Sequence, residues 1–176
     1  PTEPKTMTQI HYGTKQILAK AMTRQAYNDY RGWALPANEN GADEGYLVEY
    51  VDGGASNHPD HAGYISWSPK DVFDRAYKAS GKMNFGHAIE AMKLGHKVAR
   101  TGWNGKGMWI ALTPGSAFEA KFAKCGHAAG KRAAEIQPGD EIELLPHIDM
   151  RSADGSMVIG WLASQTDMLA DDWLIV

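Results

Sequence analysis

The chain has 176 residues, of which 43% are hydrophobic, and its formal net charge at pH 7 is −3. This length allows one domain or two small ones, and the apolar fraction is ordinary for a globular protein with a hydrophobic core. The negative charge argues against duplex nucleic acid as the main partner, because binding to a phosphate backbone usually needs a basic field. A single small anion remains compatible with this composition.

Cys125 is the single cysteine, so the sequence offers neither an intrachain disulfide nor a set of thiolates for zinc. This fits a cytosolic location. No apolar run approaches the ~18–20 residues of a membrane span, so no membrane partner is expected. Neither GxxxxGK[ST] nor GxGxxG occurs, and we expect no cofactor.

Residues 1–80 predict a small N-terminal α+β domain, with residues 1–6 disordered. Thr23 and Gly32 mark the start and stop of a first short helix. Ser68 precedes Pro69 and is expected to cap a second helix, with proline at its first position. The predicted strands are Ile10–Tyr12, Gln16–Ala19, Tyr46–Val51 and Tyr64–Trp67, and the predicted helices are Arg24–Tyr30 and a segment from Pro69 that ends at Ser80-Gly81.

A turn-rich connection at residues 52–63 holds His58, Asp60 and His61. These three side chains are of types that bind metals, but their spacing matches no strong ligand motif. A solvated loop is the preferred interpretation, and we expect no metal site.

Residues 81–176 predict a helix packed on an antiparallel β-sheet. Asn84 is a helix cap, and the following apolar residues recur at positions i, i+3, i+4 and i+7, which is typical of one buried helical face. Asp154-Gly155 predicts a hairpin, and Ser164 with Asp167 forms a Ser-x-x-Asp capping box. The predicted strands are Val98–Thr101, Met108–Leu112, Glu141–Leu145, Pro146–Ser152, Met157–Leu162 and Trp173–Val176.

The secondary structure of residues 113–139 is the hardest to predict from the sequence. The run AFEAKFAKCGHAAGKRAAEI is compatible with one helix interrupted by glycines, or with a strand and a mobile loop. Both interpretations stay open on the sequence alone. The fold class is α+β, with domains at 1–80 and 81–176.

The segment GWNGKG, residues 102–107, joins two predicted strands and suits a nucleotide. Trp103 offers a stacking face worth about 1–3 kcal/mol per base. Glycine-rich backbone supplies N–H donors to phosphate oxygens, and Arg100 and Lys106 supply positive charge. The alternative is an ordinary glycine-rich hairpin that carries a packed tryptophan.

His147 and Asp149 alternate along one predicted strand, so their side chains face the same side. Three roles stay open for them: a general base with its orienting acid, a pair that hydrogen-bonds ribose hydroxyls, or a structural contact. Gln165 and Thr166 follow the Ser164 cap, and a helix N-terminus is a natural anion site. No nucleophile motif such as GxSxG is present.

Two long stretches carry a family resemblance. MNFGHAIEAMKLGHKVARTGWNGKGMWIAL and PHIDMRSADGSMVIGWLASQTDMLADDWLIV closely resemble the Thoeris anti-defence 2 family of phage proteins, over about residues 83–176. Members of that family act as sponges, which bind the cyclic ADP-ribose signal of bacterial TIR-domain defence enzymes without cleaving it. Some members also bind cyclic dinucleotides of the CBASS type, and the family assembles as homotetramers with ligand pockets at subunit interfaces.

The resemblance implies a non-enzymatic sponge for glycocyclic ADP-ribose or cyclic dinucleotides, which blocks Thoeris or CBASS effector activation. The alternatives are an enzyme that degrades small cyclic nucleotides, and a phage structural or interaction module. Residues 120–137 depart from the family pattern, and residues 1–80 lie outside it. The implied ligand contacts are Phe85, Arg100, Trp103, Asn104, Trp109, His147, Asp149, Ser164, Gln165 and Asp167.

Overall fold

The computed structural model of the chain describes residues 8–176; the expected disorder of residues 1–6 falls outside this part. The chain folds into two compact units, which divide between Lys78 and Ala79. Helices and antiparallel sheets occur together, so the expected α+β class is confirmed. No helix in the part described is both long enough and apolar enough to cross a membrane.

The described residues of the first unit, 8–78, form an antiparallel three-stranded sheet and two helices. The strands lie in the order β1-β2-β3, and Tyr27 of the first helix packs with Leu47 and Ile65 of the sheet. The elements are β1 Ile17–Ala21, α1 Arg24–Arg31, β2 Gly45–Tyr50, β3 Tyr64–Pro69 and α2 Lys70–Ala76.

Helix α1 begins and ends where the sequence predicts. The Thr23 hydroxyl accepts a hydrogen bond from the Ala26 N–H at 3.2 Å, which satisfies one of the free amides of the first turn. Gly32 ends the helix in the left-handed conformation with φ of 69°, which glycine adopts without a Cβ penalty.

Three predictions in the first unit are wrong. The helix expected to end at Ser80-Gly81 ends at Ala76, because Tyr77 is in an extended conformation. Ile10–Tyr12 forms no strand; Ile10 is 84% exposed and Tyr12 97% exposed, so neither side chain is packed in the core. Ser68 does not cap α2, because β3 continues through Pro69 and Ser68 pairs with Tyr46 of β2. The helix therefore begins at Lys70 without a side-chain cap.

The histidines of the 52–63 loop attach it to its surroundings. The Tyr30 hydroxyl lies 2.9 Å from His61 Nε2, and His61 Nδ1 lies 2.8 Å from Glu49 Oε2. The Tyr30 ring also stacks on His58 with centroids 4.4 Å apart. Over residues 8–176, no group of three or more His, Cys, Asp or Glu is arranged to hold a metal ion.

The second unit is built on an antiparallel five-stranded sheet in the order β10-β4-β5-β8-β9, and β6 and β7 form a separate pair. Its elements are α3 Phe85–Lys93, β4 Val98–Arg100, β5 Trp109–Thr113, β6 Ser116–Glu119, a 3₁₀ helix Ala120–Phe122, α4 Ala128–Ala133, β7 Glu141–Leu144, β8 His147–Arg151, β9 Met157–Val158, α5 Gln165–Met168 and β10 Trp173–Ile175.

Helix α3 packs on this sheet, as the sequence predicts. Asn84 caps it, with its side chain accepting from the His87 N–H at 3.0 Å. Ala88 and Met92 on the apolar face are buried in one core cluster with Trp173, which has no exposed surface.

The remaining differences lie after β5. The segment 113–139 holds β6, the 3₁₀ helix and α4, so the interpretation as one interrupted helix is wrong. β9 ends at Val158 rather than Leu162, because Gly160 has φ of 82° and interrupts the extended strand conformation. The Gly160 N–H bonds the side chain of Asp149 at 2.9 Å instead of a strand carbonyl.

Because Trp173 is fully buried, Trp173→Ala should lower the unfolding free energy of the second unit by about 3–5 kcal/mol. Urea unfolding followed by circular dichroism measures the loss. Ile175→Ala is the matched control, since Ile175 lies on the same strand and is 37% exposed. Equal losses in the two variants would contradict this assignment of the core.

Candidate functional site

The five-stranded sheet has two distinct faces. Val98, Ile110 and Met150 point toward α3 and are buried in the core. Side chains alternate along a strand, and Trp109 and Asp149 immediately precede two of these core residues. They therefore lie on the opposite face, so the implied ligand contacts divide between two sides of the sheet.

An aromatic cluster lies on the α3 side, formed by Phe85, Trp103, Trp161 and Trp173. Neighbouring ring centroids are 5.3–6.4 Å apart, mostly in edge-to-face arrangements. Trp173 is fully buried, whereas the other three rings keep part of their surface exposed. The cluster therefore presents partly exposed aromatic surface above a rigid base.

The carboxylate of Asp167 holds this cluster in place. Its Oδ1 accepts from Arg100 Nη1 at 2.8 Å and from the Trp103 indole N–H at 3.0 Å. Its Oδ2 accepts from the Ser164 hydroxyl at 2.7 Å and from the Ser164 N–H at 3.3 Å. Both oxygens are thus used within the protein, and the predicted capping box of α5 is confirmed.

Asp172 completes the network, and the sequence pattern did not single it out. Its carboxylate accepts from Arg100 Nε at 2.8 Å and from the Gly102 N–H at 2.7 Å. The Arg100 guanidinium is therefore shared between two carboxylates. The hydrogen bonds that Arg100 donates to Asp172, and then to Asp167, raise the pKa of Arg100 above its ordinary value.

The network also sets the charge of Asp167. Burial raises the pKa of this carboxyl, but hydrogen bonds from Arg100, Ser164 and Trp103 outweigh burial and lower the pKa from 3.8 to about 2. Asp167 is therefore ionised at neutral pH, and the aromatic cluster is anchored by a charged carboxylate.

On the opposite face, His147 and Asp149 form the contact that their spacing predicts. His147 Nε2 lies 3.4 Å from Asp149 Oδ2, and His147 Nδ1 lies 2.9 Å from the Leu145 carbonyl. Asp149 is only 6% exposed. The Thr113 hydroxyl donates to its Oδ2, and the Gly160 N–H donates to its Oδ1 at 2.9 Å. The side chains of His147 and Asp149 therefore contact each other and neighbouring groups of the protein.

The other implied contacts are more open. Trp109 shares the face of His147, with the Lys97 ammonium 5.3 Å from its ring centroid. Asn104 and Gln165 are exposed, and no residue from 8 to 176 forms a hydrogen bond with either side chain. Their amides are therefore available to a ligand.

The glycine-rich loop 102–107 is tied to the hairpin by a contact that sequence reasoning missed. Arg151 Nη1 donates to the Gly107 carbonyl at 2.6 Å. Gly107 has φ of 70°, in the left-handed region that favours glycine. The hydrogen bond from Arg151 to Gly107 fixes one end of the loop, and the hydrogen bond from the Gly102 N–H to Asp172 fixes the other.

These features define an α+β protein with a rigid aromatic and polar surface beside a short capped helix. A family model described as Thoeris anti-defense 2-like domain matches residues 83–176. The protein named Thoeris anti-defense 2, from Bacillus phage SP01, is 39% identical over 95 residues, which cover 54% of this chain and 96% of that protein. The chain belongs to the Thoeris anti-defense 2-like family.

The Asp167 network should make stability depend on acid pH. Folding lowers the pKa of the Asp167 carboxyl to about 2. The stabilisation that this carboxylate provides is therefore complete above about pH 4 and is lost as pH falls toward 2. Asp167→Asn should lower the unfolding free energy by about 2 kcal/mol at pH 7, with a smaller loss at pH 2. Urea unfolding across this range measures both values.

Asp171→Asn is the matched control, because Asp171 is exposed and forms no ion pair within residues 8–176. Its unfolding free energy should follow that of the unsubstituted protein at every pH. A pH-independent difference for Asp167→Asn would argue that the carboxylate charge is unimportant to the fold.

Proposed function

We propose that this protein is a phage anti-defence sponge, which binds a cyclic nucleotide immune signal and holds it without cleavage. The ligand class is glycocyclic ADP-ribose, with cyclic dinucleotides as a second class. Sequestration in the host bacterial cytosol would block activation of Thoeris and CBASS effectors. Membership of the Thoeris anti-defense 2-like family supports the anti-defence role.

The observation that carries the binding proposal is the partly exposed aromatic cluster fixed by Asp167. Trp103 is oriented by its indole hydrogen bond to Asp167 at 3.0 Å, and its ring lies 6.2 Å from Trp161. A base stacks favourably on such rings. Because the rings are already ordered, binding costs little side-chain entropy.

The polar residues divide into two roles under this proposal. Asn104 and Gln165 have exposed amides, so they contact the ligand directly beside Phe85 and Trp103. Arg100, Ser164 and Asp167 are bonded to one another, so they chiefly hold the aromatic rings and the start of α5 in position.

Trp109, His147 and Asp149 lie on the other side of the sheet, and a single protomer does not unite them with the cluster. We assign Trp109 and His147 to a ligand reached from a second subunit of a homotetramer. Asp149, which is 6% exposed, holds His147 in position for that contact. Exposed apolar side chains support self-association: Ile159 is 69% exposed, Leu162 90% and Leu169 80%.

The degrading-enzyme alternative relies on His147 as a general base. Such a base needs a ring nitrogen directed at the substrate. Here Nδ1 faces the Leu145 carbonyl and Nε2 faces Asp149. This arrangement favours binding over acid–base chemistry.

Native mass spectrometry with glycocyclic ADP-ribose and a panel of cyclic dinucleotides should show a tetramer that takes up ligand at fixed stoichiometry. Heat denaturation of the complex should then release ligand of unchanged mass, since no bond is broken. A changed ligand mass would support the enzyme, and no uptake of any ligand would support the interaction module.

Trp103→Ala and Asp149→Ala should each abolish measurable binding in calorimetry while the tetramer persists. Trp103→Phe keeps an aromatic face but lacks the N–H donor to Asp167, so an intermediate loss is expected. Tyr12→Ala, which removes a 97% exposed aromatic side chain of the first unit, is the control and should bind normally. Full affinity in both alanine variants would refute the site.

A further inference from the structure

The first unit has a cavity of its own, between α1 and β3. Its volume is 390 Å³, within the range of about 300–1,000 Å³ for small-molecule pockets. One face of α1 lines it with Arg24, Tyr27, Asn28 and Arg31, which are spaced i, i+3, i+4 and i+7. A helical face that would ordinarily be apolar is therefore polar and partly charged.

Two tryptophans form aromatic walls, and each carries an arginine. The Arg24 guanidinium lies 4.4 Å from the Trp67 ring centroid, and the Arg31 guanidinium lies 4.2 Å from that of Trp33. The Trp67 indole N–H donates to the Met22 carbonyl at 2.8 Å, which fixes the ring. The cavity thus offers flat, ordered surfaces on which another ring can stack.

The two arginines differ in charge compensation. Arg24 is paired with Glu39 at 3.0 Å and with Asp43 at 3.2 Å. For Arg31, no carboxylate within the described part of the chain lies close enough for an ion pair, and its one side-chain hydrogen bond goes to the Tyr27 hydroxyl at 3.4 Å. Its guanidinium fork is therefore available to a phosphate.

Asn28 adds a hydrogen-bond acceptor to the same wall. Its Nδ2 donates to the Arg24 carbonyl at 2.9 Å, and the residue is only 9% exposed. No donor among residues 8–176 reaches its Oδ1. A carboxamide oxygen in this position suits a ring N–H or an exocyclic amine.

We infer that this cavity binds a nucleoside 5′-monophosphate. The base stacks against the tryptophan and arginine faces, Asn28 accepts from its edge, and Arg31 holds the phosphate. This site is separate from the function proposed above, which concerns residues of the second unit.

Calorimetry of the full chain with AMP, GMP, CMP and UMP tests the inference, with the matching nucleosides and inorganic phosphate as comparison ligands. At least one monophosphate should bind. The affinity of the matching nucleoside should be lower by about tenfold or more, because the Arg31 contact is charge-assisted. Equal affinity for nucleoside and monophosphate, or no binding at millimolar concentration, would overturn it.

Variants locate the site. Arg31→Gln should weaken monophosphate binding about tenfold or more, and Arg31→Lys should give a smaller loss because it keeps charge without the fork. Arg75→Gln is the control in the same unit, since the Arg75 side chain is 76% exposed. Arg132→Gln is the control in the second unit, since the Arg132 side chain is 58% exposed. Thermal melting verifies folding, and a loss in either control equal to that of Arg31→Gln would place binding elsewhere.

Discussion

The second unit depends on one carboxylate. Asp167 receives hydrogen bonds from Arg100 at the end of β4, from Trp103 in the glycine-rich loop and from Ser164 at the start of α5. Its backbone carbonyl also accepts from the Trp173 indole at 3.1 Å. Two stretches that are distant in sequence, residues 100–103 and 164–173, therefore meet at Asp167, and the orientation of the aromatic cluster follows from these contacts. Burial of the charge is tolerated because every oxygen has donors.

The pleat of the sheet is the second constraint. Val98, Ile110 and Met150 must face α3 to form the core, so their neighbours Trp109 and Asp149 must face away. In the motif PHIDM, Ile148 and Met150 face the core, and His147 and Asp149 face the opposite side. This separation is the physical reason for assigning the two groups of proposed ligand contacts to different subunits.

The sequence predicts the helix caps, which depend on neighbouring residues, but not the contacts between residues that are far apart in the chain. The caps at Thr23, Asn84 and Ser164 each involve a partner three residues away. Both the capping residue and its partner are therefore visible in a short stretch of sequence. Ser68 looked like such a cap, but pairing with Tyr46 extended the strand through it. The partnership of Asp172 with Arg100 spans 72 residues, and no local pattern identifies which acid will take that place.

Charge compensation distinguishes Arg31 from Arg24 and Arg100. In the second unit, Arg100 shares its charge between Asp167 and Asp172, so its main effect is to order Trp103. In the first unit, Arg24 is balanced in the same way by Glu39 and Asp43, but Arg31 is not. The overall charge of −3 therefore says little about small anions. It disfavours a long phosphate backbone, whereas one phosphate responds to the local field of a single uncompensated guanidinium.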